Sequence, residues 1–329
     1  MSELLASMGY FSGINSIVDP KFLTYAVKDV SGIGNKAVYP LEIGANIYID
    51  NTYHINSRGG QTLLLSGTTK NLWANIAGTL AFCTKGSNLY QLKTDYTVVL
   101  LLSGLDTNNL MSYLEWNDRV YFSNGVNIGY IKNSIAYPLS VPVVINPDKM
   151  TGGITASEPM PYKRVMPPGQ YLAVYRGHLL SASDNVLYVS DALSDCYDVR
   201  GSIQGTGRSY IPFNGDITMV RPVDEGIYVA DGNTWFLRGA AFEDMEKRLV
   251  ESSQVAPFSD INVDAELIGK GEGKGRWAVW ISGKGIMTGD NNGNVENITD
   301  PIFNMPNIMI GAAMIKNVNG LVQYFGVIS

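Results

Sequence analysis

Two histidines, two cysteines and a scatter of turn carboxylates are the residues of this 329-residue chain whose types lend themselves to chemistry. A metal centre needs His, Cys or carboxylate ligands converging at short spacings, and neither His54 nor His178 has such company. Both read as surface or turn residues. A serine triad would have to draw on one of them, yet no Gly-x-Ser-x-Gly elbow is present. Cys83 and Cys196 read as reduced core thiols. Asp231-Gly232-Asn233-Thr234-Trp235 is a compact aspartate-led turn. Glu115, Asp118, Asp224 and Glu225 sit near expected strand ends, and a glycosidase would need two such carboxylates facing one another across a cleft. Turn carboxylates that bond their own backbone are commoner. Gly269-Lys270-Gly271-Glu272-Gly273-Lys274-Gly275-Arg276 lacks the Gly-Lys-Ser/Thr ending and the following helix of a phosphate loop. It leads into an expected strand, so it reads as a hairpin tip whose Lys270, Lys274 and Arg276 are candidates for non-specific contact with DNA phosphate. No catalytic, cofactor-binding or metal residue is assigned, no cofactor is expected, and the chain is read as a non-enzyme.

The elements around these residues follow one recurring pattern. Residues 116–131 contain a polar Asn117-Asp118 turn, a strand at 120–122, a Ser123-Asn124-Gly125 turn and a second strand at 128–131. Asn-Gly between β-branched and aromatic residues marks a hairpin, because both residues tolerate positive φ. Similar pairs are expected at 80–83 with 89–92, 179–181 with 186–189, 227–229 with 234–237, and 286–288 with 295–298. A further strand precedes most pairs, at 72–76, 111–116, 171–175, 217–221 and 277–281. Pair starts at 80, 120, 179, 227 and 286 are spaced by 40, 59, 48 and 59 residues. Units of this length with three or four strands are the mark of a β-propeller. The fold class expected is therefore all-β, a propeller of about six blades. The sixth blade would be made from C-terminal strands at 308–315 and 321–327, completed by N-terminal strands at 45–65.

Residues 1–40 read as an extended arm lying on the fold or on a neighbour, and residues 41–329 as the propeller. Two long spacings suggest insertions. Residues 132–170 carry seven prolines and Gly152-Gly153, so regular structure is not expected there. The segment is read as an arm toward a partner subunit. Ile14, Asn15, Val18, Pro142, Pro147 and Pro161 are the candidate subunit contacts. Residues 238–263, with Phe242, Met245, Leu249 and Val250 on one side, read as a short amphipathic helix or an outer strand. The composition is globular, 45% hydrophobic and 16% charged, with 35 Gly and 19 Tyr suited to turns and strands. A net charge of −6 argues against an exterior that grips nucleic acid. No signal peptide and no membrane segment are expected.

The N-terminal residues Gly13-Ile14-Asn15-Ser16-Ile17-Val18-Asp19-Pro20, followed by Ala45-Asn46-Ile47-Tyr48-Ile49-Asp50, resemble the opening of a family of tailed-bacteriophage virion proteins. Ser57-Arg58-Gly59-Gly60, Leu63, Ser66-Gly67 and Asn71-Leu72-Trp73 continue the likeness. The stretches Leu89-Tyr90-x-Leu92, Asn117 to Gly125 and Trp235-Phe236-Leu237-Arg238-Gly239 resemble its blade motifs. The chain departs at Gly59-Gly60, where that family often has Pro-Gly, and in the 132–170 insertion. The resemblance implies a propeller that serves as tail nozzle, hub or packaged-DNA stabilisation protein of a short-tailed phage. It implies a homo-oligomeric ring, usually of six, below the portal and adaptor, through which DNA passes without sequence recognition. The location implied is the virion tail, after assembly in the bacterial cytoplasm. The other readings weighed are a propeller that binds host glycan, which exposed Tyr and Trp would support, and a glycoside hydrolase.

Overall fold

The computed structural model describes residues 65–75, 77–151, 154–160, 162–200, 209–268, 275–299, 311–318 and 321–328, together with short strand segments before residue 65. Among the described residues five four-stranded antiparallel sheets follow one another along the chain, four of them simple meanders and one, the third, with Cys196–Asp198 intervening before its last strand. Blade 1 consists of Lys70–Ala74, Ala81–Lys85, Asn88–Leu92 and Val98–Leu102. Blade 2 consists of Ser112–Trp116, Arg119–Ser123, Ile128–Lys132 and Ile135–Pro138. Tyr171–Tyr175, His178–Ser183, Val186–Ala192 and Tyr210–Pro212 make blade 3. Blade 4 is Met219–Pro222, Ile227–Ala230, Thr234–Arg238 and Glu246–Glu251, and blade 5 is Ile261–Asp264, Arg276–Ser282, Gly285–Gly289 and Val295–Asn297. The chain is an all-β propeller.

Tight turns set the registers. Asn117 and Asp118 have φ of 51° and 55° and close the first hairpin of blade 2, with Trp116 opposite Arg119. Two left-handed residues in a two-residue loop match the right-handed twist of the strands they join. Asn124 closes the next turn differently: its Oδ1 accepts the backbone N–H groups of Val126 at 3.1 Å and Asn127 at 2.6 Å.

Alternation along each strand then divides the core between seams. In the second strand of blade 2, Val120 and Phe122 point to blade 1, joining Phe82 and Leu89, while Tyr121 points to blade 3, joining Leu172 and Leu179. In blade 4, Ile227 and Val229 face blade 3, with Leu180 and Leu187. Tyr228 faces blade 5, with Trp280 and Met287. The first strands of blades 2 to 5 lie side by side in sequence order, and that of blade 5 adjoins Gly311–Val318. Blade 5 also holds the C-terminal strands by hydrogen bonds, Gly311 N–H to Pro257 O at 2.8 Å and Tyr324 O–H to Ser259 O at 2.6 Å.

Three expectations are corrected. The 132–170 segment is not irregular: it contains the fourth strand of blade 2, a hairpin of Val143–Thr151 with Ile154–Pro159, and Lys163–Val165, which pairs with Cys196–Asp198. Three of its prolines sit where a missing N–H is tolerated. Pro138 and Pro159 end strands, and Pro147 lies in the register break between Asn146 and Met150. Residues 238–263 are not an insertion, and of the two forms expected there the outer strand is present and the helix is not. They supply the outer strand of blade 4 and the first strand of blade 5, with Phe242 and Met245 buried. Finally, 277–281 is not the leading strand of blade 5 but its second, so the long last spacing reflects a shift of phase. Within the 1–40 segment, Tyr25–Ala26 pairs with Ala37–Val38. Ile47–Ile49 pairs with Ile55–Ser57, and Gly311–Val318 with Leu321–Ile328, as separate two-stranded sheets.

The seam between blades 4 and 5 leaves no room at Gly289, where a Cβ would lie 2.5 Å from Cζ of fully buried Tyr228. Gly289→Ala is expected to cost about 1–3 kcal/mol through overpacking, read as a lower urea midpoint at unchanged slope. An unchanged midpoint would show that Tyr228 can retreat and that this seam is not closely packed.

Candidate functional site

Polar groups at the blade ends are largely occupied in joining one blade to the next. Arg221 in the first strand of blade 4 donates from Nε to Asp260 Oδ2 at 2.7 Å and from Nη2 to Asp260 O at 3.0 Å. The Asp260 side chain is 3% exposed and that of Arg221 28%. Asn262 Nδ2 donates back to Pro222 O at 2.8 Å. Tyr228 O–H reaches Asp290 O at 2.6 Å, and Arg248 Nη2 reaches Asn292 O at 2.6 Å. Between blades 2 and 3, Leu172 N–H donates to Ser112 Oγ at 3.1 Å. The Arg119 guanidinium lies 3.3 Å from Asp195 and 4.4 Å above the Tyr130 ring.

The turn carboxylates considered for acid–base work take part in the same joints. Asp224 turns toward blade 5, accepting from Arg276 N at 2.9 Å and Arg276 Nε at 3.0 Å. Its neighbour Glu225 turns the other way, 3.8 Å from Arg176 of blade 3. Glu115 accepts from Asn75 of blade 1 at 3.5 Å. Asp231 caps its own turn, with Trp235 Nε1 donating to Oδ1 at 2.7 Å. Asp224, Glu225 and Glu115 thus bond to different blades, an arrangement that spaces them along the seams and does not build an acid–base pair. Among the described residues no group of three or more His, Cys, Asp or Glu side chains is placed to hold a metal ion.

One open cleft of about 650 Å³ crosses the seam between blades 3 and 4. Its floor is the turn Tyr175-Arg176-Gly177-His178, two left-handed residues with φ of 49° and 79° joining the first two strands of blade 3. A left-handed arginine is costly, and Arg176 is anchored from across the seam, donating from Nη1 to Gly239 O at 2.8 Å and Ala240 O at 3.0 Å. His178 Nδ1 lies 2.7 Å from Ser190 O. A carbonyl only accepts, so Nδ1 carries a proton, and in the neutral ring Nε2 is then the acceptor. The ring meets Phe242 edge to face at a centroid distance of 4.9 Å. One wall is an ion network in which Lys163 bridges Asp191 and Asp198, with Asp198 at 3.3 Å. Arg200 grips Asp198 through Nη2 at 2.8 Å and Nε at 3.1 Å. The Arg200 bonds, with added help from Lys163, hold the Asp198 carboxyl well below the usual carboxylate range. Burial works against the Lys163 charge, but Asp191 and Asp198 outweigh it and raise its pKa. Ala240, Ala241, Phe242 and Met245 form the opposite, mostly apolar wall.

Of the sequence candidates, Ile14, Asn15, Val18, Pro161, Lys270, Lys274 and His54 lie outside the described residues. Pro142 precedes the 143–159 hairpin and its carbonyl accepts Met160 N–H at 2.9 Å. Pro147 lies within that hairpin. Arg276 opens the second strand of blade 5 with its guanidinium on Asp224. Cys83 and Cys196 are buried free thiols. Burial, aided by Asp195, pushes Cys196 up to about 11, which keeps it a thiol. His178, read as a surface or turn residue, proves to line the cleft. Lys163, Asp191, Asp198 and Arg200 were not singled out from sequence, and Phe242 was named only as part of an apolar face. They come from separate segments and share no motif.

A chain of five meander blades joined seam to seam defines a β-propeller protein. No protein-family model matches the sequence, and no curated protein matches it. Among solved structures it is similar to BBS1N in complex with ARL6DN, at 9% identity over 86% of each chain, TM-score 0.46. It is also similar to a gluconolactonase from Xanthomonas campestris, at 12% identity over 79% of this chain and 86% of that one, TM-score 0.44. A third likeness is to the Pan2 WD40 domain of Neurospora crassa, at 10% identity over 70% and 78%, TM-score 0.39. At these values the fold class rests on the chain's own sheets.

Two measurements test the electrostatic account. Arg221→Ala leaves the buried Asp260 charge uncompensated, while Asp260→Ala leaves a partly exposed Arg221. Urea unfolding is expected to cost about 3 kcal/mol for the first and clearly less for the second, and equal costs would show that Asp260 finds another partner. Acid is expected to destabilise the fold. The carboxyl of Asp198 is depressed by Arg200, and in Asp224 and Glu251 the lowering by Arg276 and Lys284 outweighs an opposing effect of burial. Their contribution is present above the unfolded carboxylate range, about 4, and is lost as pH falls through the folded values. The raised pKa of Lys163 acts on the other side, its contribution intact below about 10.4 and lost at higher pH. Urea midpoints measured against pH should therefore fall below about pH 4. A midpoint that rises on acidification would contradict this assignment.

Proposed function

We propose that the chain is a structural, non-catalytic propeller of a bacteriophage tail, one subunit of a homo-oligomeric ring of about six copies below the portal and adaptor. The observation that carries this reading is the motif series running through the arm and the blades. Its blade motifs fall on the two central strands of the meander: Leu89-Tyr90-x-Leu92 on the third strand of blade 1, Asn117 to Gly125 on the turn and second strand of blade 2, and Trp235 to Leu237 on the third strand of blade 4. The polar joints between blades support a mechanical role, because a wedge that bears load in a ring must resist splaying at its seams. The net charge of −6 suits a passage along which phosphate slides without sticking. In this reading the N-terminal arm and the 143–159 hairpin reach neighbouring subunits, and the chain resides in the virion tail after assembly in the bacterial cytoplasm.

Native mass spectrometry of the purified 35.8 kDa chain, with cryo-electron microscopy of assembled particles, tests the proposal. A closed ring of propellers on the tail axis is the expected result, whether the isolated chain is a monomer or already a ring. A stable monomer that is absent from particles, or present only as a peripheral appendage, would overturn it.

A further inference from the structure

The cleft across the seam of blades 3 and 4 borders the apolar core of that seam, which takes in Tyr175, Val189, Phe242 and Met245 of its lining but none of its charged residues. We propose that it is a binding site for a neutral saccharide. Its volume of about 650 Å³ falls within the range of small-ligand sites. Three cations, Lys163, Arg176 and Arg200, line it with three anions, Asp191, Asp198 and Glu243. Lys163 and Arg200 are held by Asp191 and Asp198, and Arg176 by two carbonyls and Glu225. No cation is therefore left uncompensated to attract a phosphate, a carboxylate or a nucleic acid. What remains are acceptors: His178 Nε2 and the free lone pairs of the Asp191 and Asp198 carboxylates, beside the donor edges of two guanidinium groups. A hydroxyl both donates and accepts, so a ligand with several hydroxyls on a neutral frame matches this mixture, whereas an anion meets only half of it. Ala240, Ala241, Phe242 and Met245, on the same segment as Glu243, offer apolar surface against which the C–H face of a sugar ring can pack. The site is also preformed, because the hydrogen bonds of Arg176 and His178 fix its floor. The inference does not rest on the tail reading, since a solitary monomer would carry the same cleft.

The test uses the full chain and a panel of free disaccharides, namely maltose, lactose, cellobiose, mannobiose and chitobiose, with inorganic phosphate and a short single-stranded DNA as the anionic probes. Binding is followed by ligand-observed NMR, and hydrogen exchange on the wild type locates it. At least one disaccharide at up to about 10 mM is expected to bind and to slow exchange in peptides spanning 176–192 and 239–245. Asp191→Asn and His178→Phe should each weaken that binding about tenfold, while Lys132→Gln, on an exposed strand end of blade 2, should not. Thermal melts confirm that the variants are folded, and the exchange map on the wild type decides the matter if either is not. Absence of protection by every disaccharide, sugar binding unchanged in both folded variants, or protection of these peptides by phosphate or DNA instead would each overturn the proposal.

Discussion

A four-stranded sheet with apolar side chains on both faces cannot be stable alone, and the architecture of this chain follows from that constraint. The strand period of two sends Tyr121 one way and Val120 and Phe122 the other, and the same division recurs at Tyr228 between Ile227 and Val229. Blades 2, 3 and 4 therefore each share their two faces with two neighbours. The order of blades along the chain becomes their order in space, because successive meanders are the nearest sheets available to cover one another. Glycines such as Gly289 mark where a seam leaves no space for a side chain.

Apolar seams alone would allow blades to slide, since burial is non-directional. Direction comes from the polar groups at the strand ends. Arg221 addresses both the carboxylate and the carbonyl of Asp260, and Asn262 answers to Pro222, so two first strands are fixed in register as well as held in contact. Tyr228 does both jobs with one side chain, its ring packed against Trp280 and its hydroxyl on Asp290 O. The short carboxylate turns that resemble catalytic groups in sequence belong to this system. Asp224 and Glu225 are adjacent in the chain, yet one bonds to blade 5 and the other to blade 3.

This explains how far the sequence could be read. The second and third strands are buried between seams and tied by tight turns, so alternation and turn chemistry revealed them almost residue by residue. The fourth strands are weaker in the sequence for a physical reason: they form the rim, where one edge meets solvent. Glu246–Glu251 carries four charged residues in six, and Tyr210–Pro212 and Val295–Asn297 are three residues long. Charge, proline and brevity protect an outer edge from pairing with other chains, and they also erase the strand pattern. With the fourth strand of blade 4 left open between a helix and an outer strand, the first strand of blade 5 merged with it into an apparent insertion and the phase of blade 5 slipped by one. Prolines in 132–170 misled in the same way, since they mark strand ends and a register break within regular structure. The cleft had no local signature at all. His178 sat alone in the sequence, and its companions enter from segments as distant as Lys163 and Phe242.

The cleft and the seams also differ in a way that bears on function. Where two blades meet through Arg221 and Asp260, each charged group is answered and the joint is closed. At the seam of blades 3 and 4 the guanidinium of Arg176 is spent on backbone carbonyls, in a left-handed conformation that favours other residue types. That contact joins the blades as the others do, but it leaves the space beside it open and lined with acceptors. The charged groups lining this cleft are paired with one another and partly exposed, Asp191 by 35% and Arg200 by 46%. Exposed pairs of this kind contribute little to stability, so the strength of this seam rests on its apolar cluster and on Arg176 rather than on the charges beside the opening.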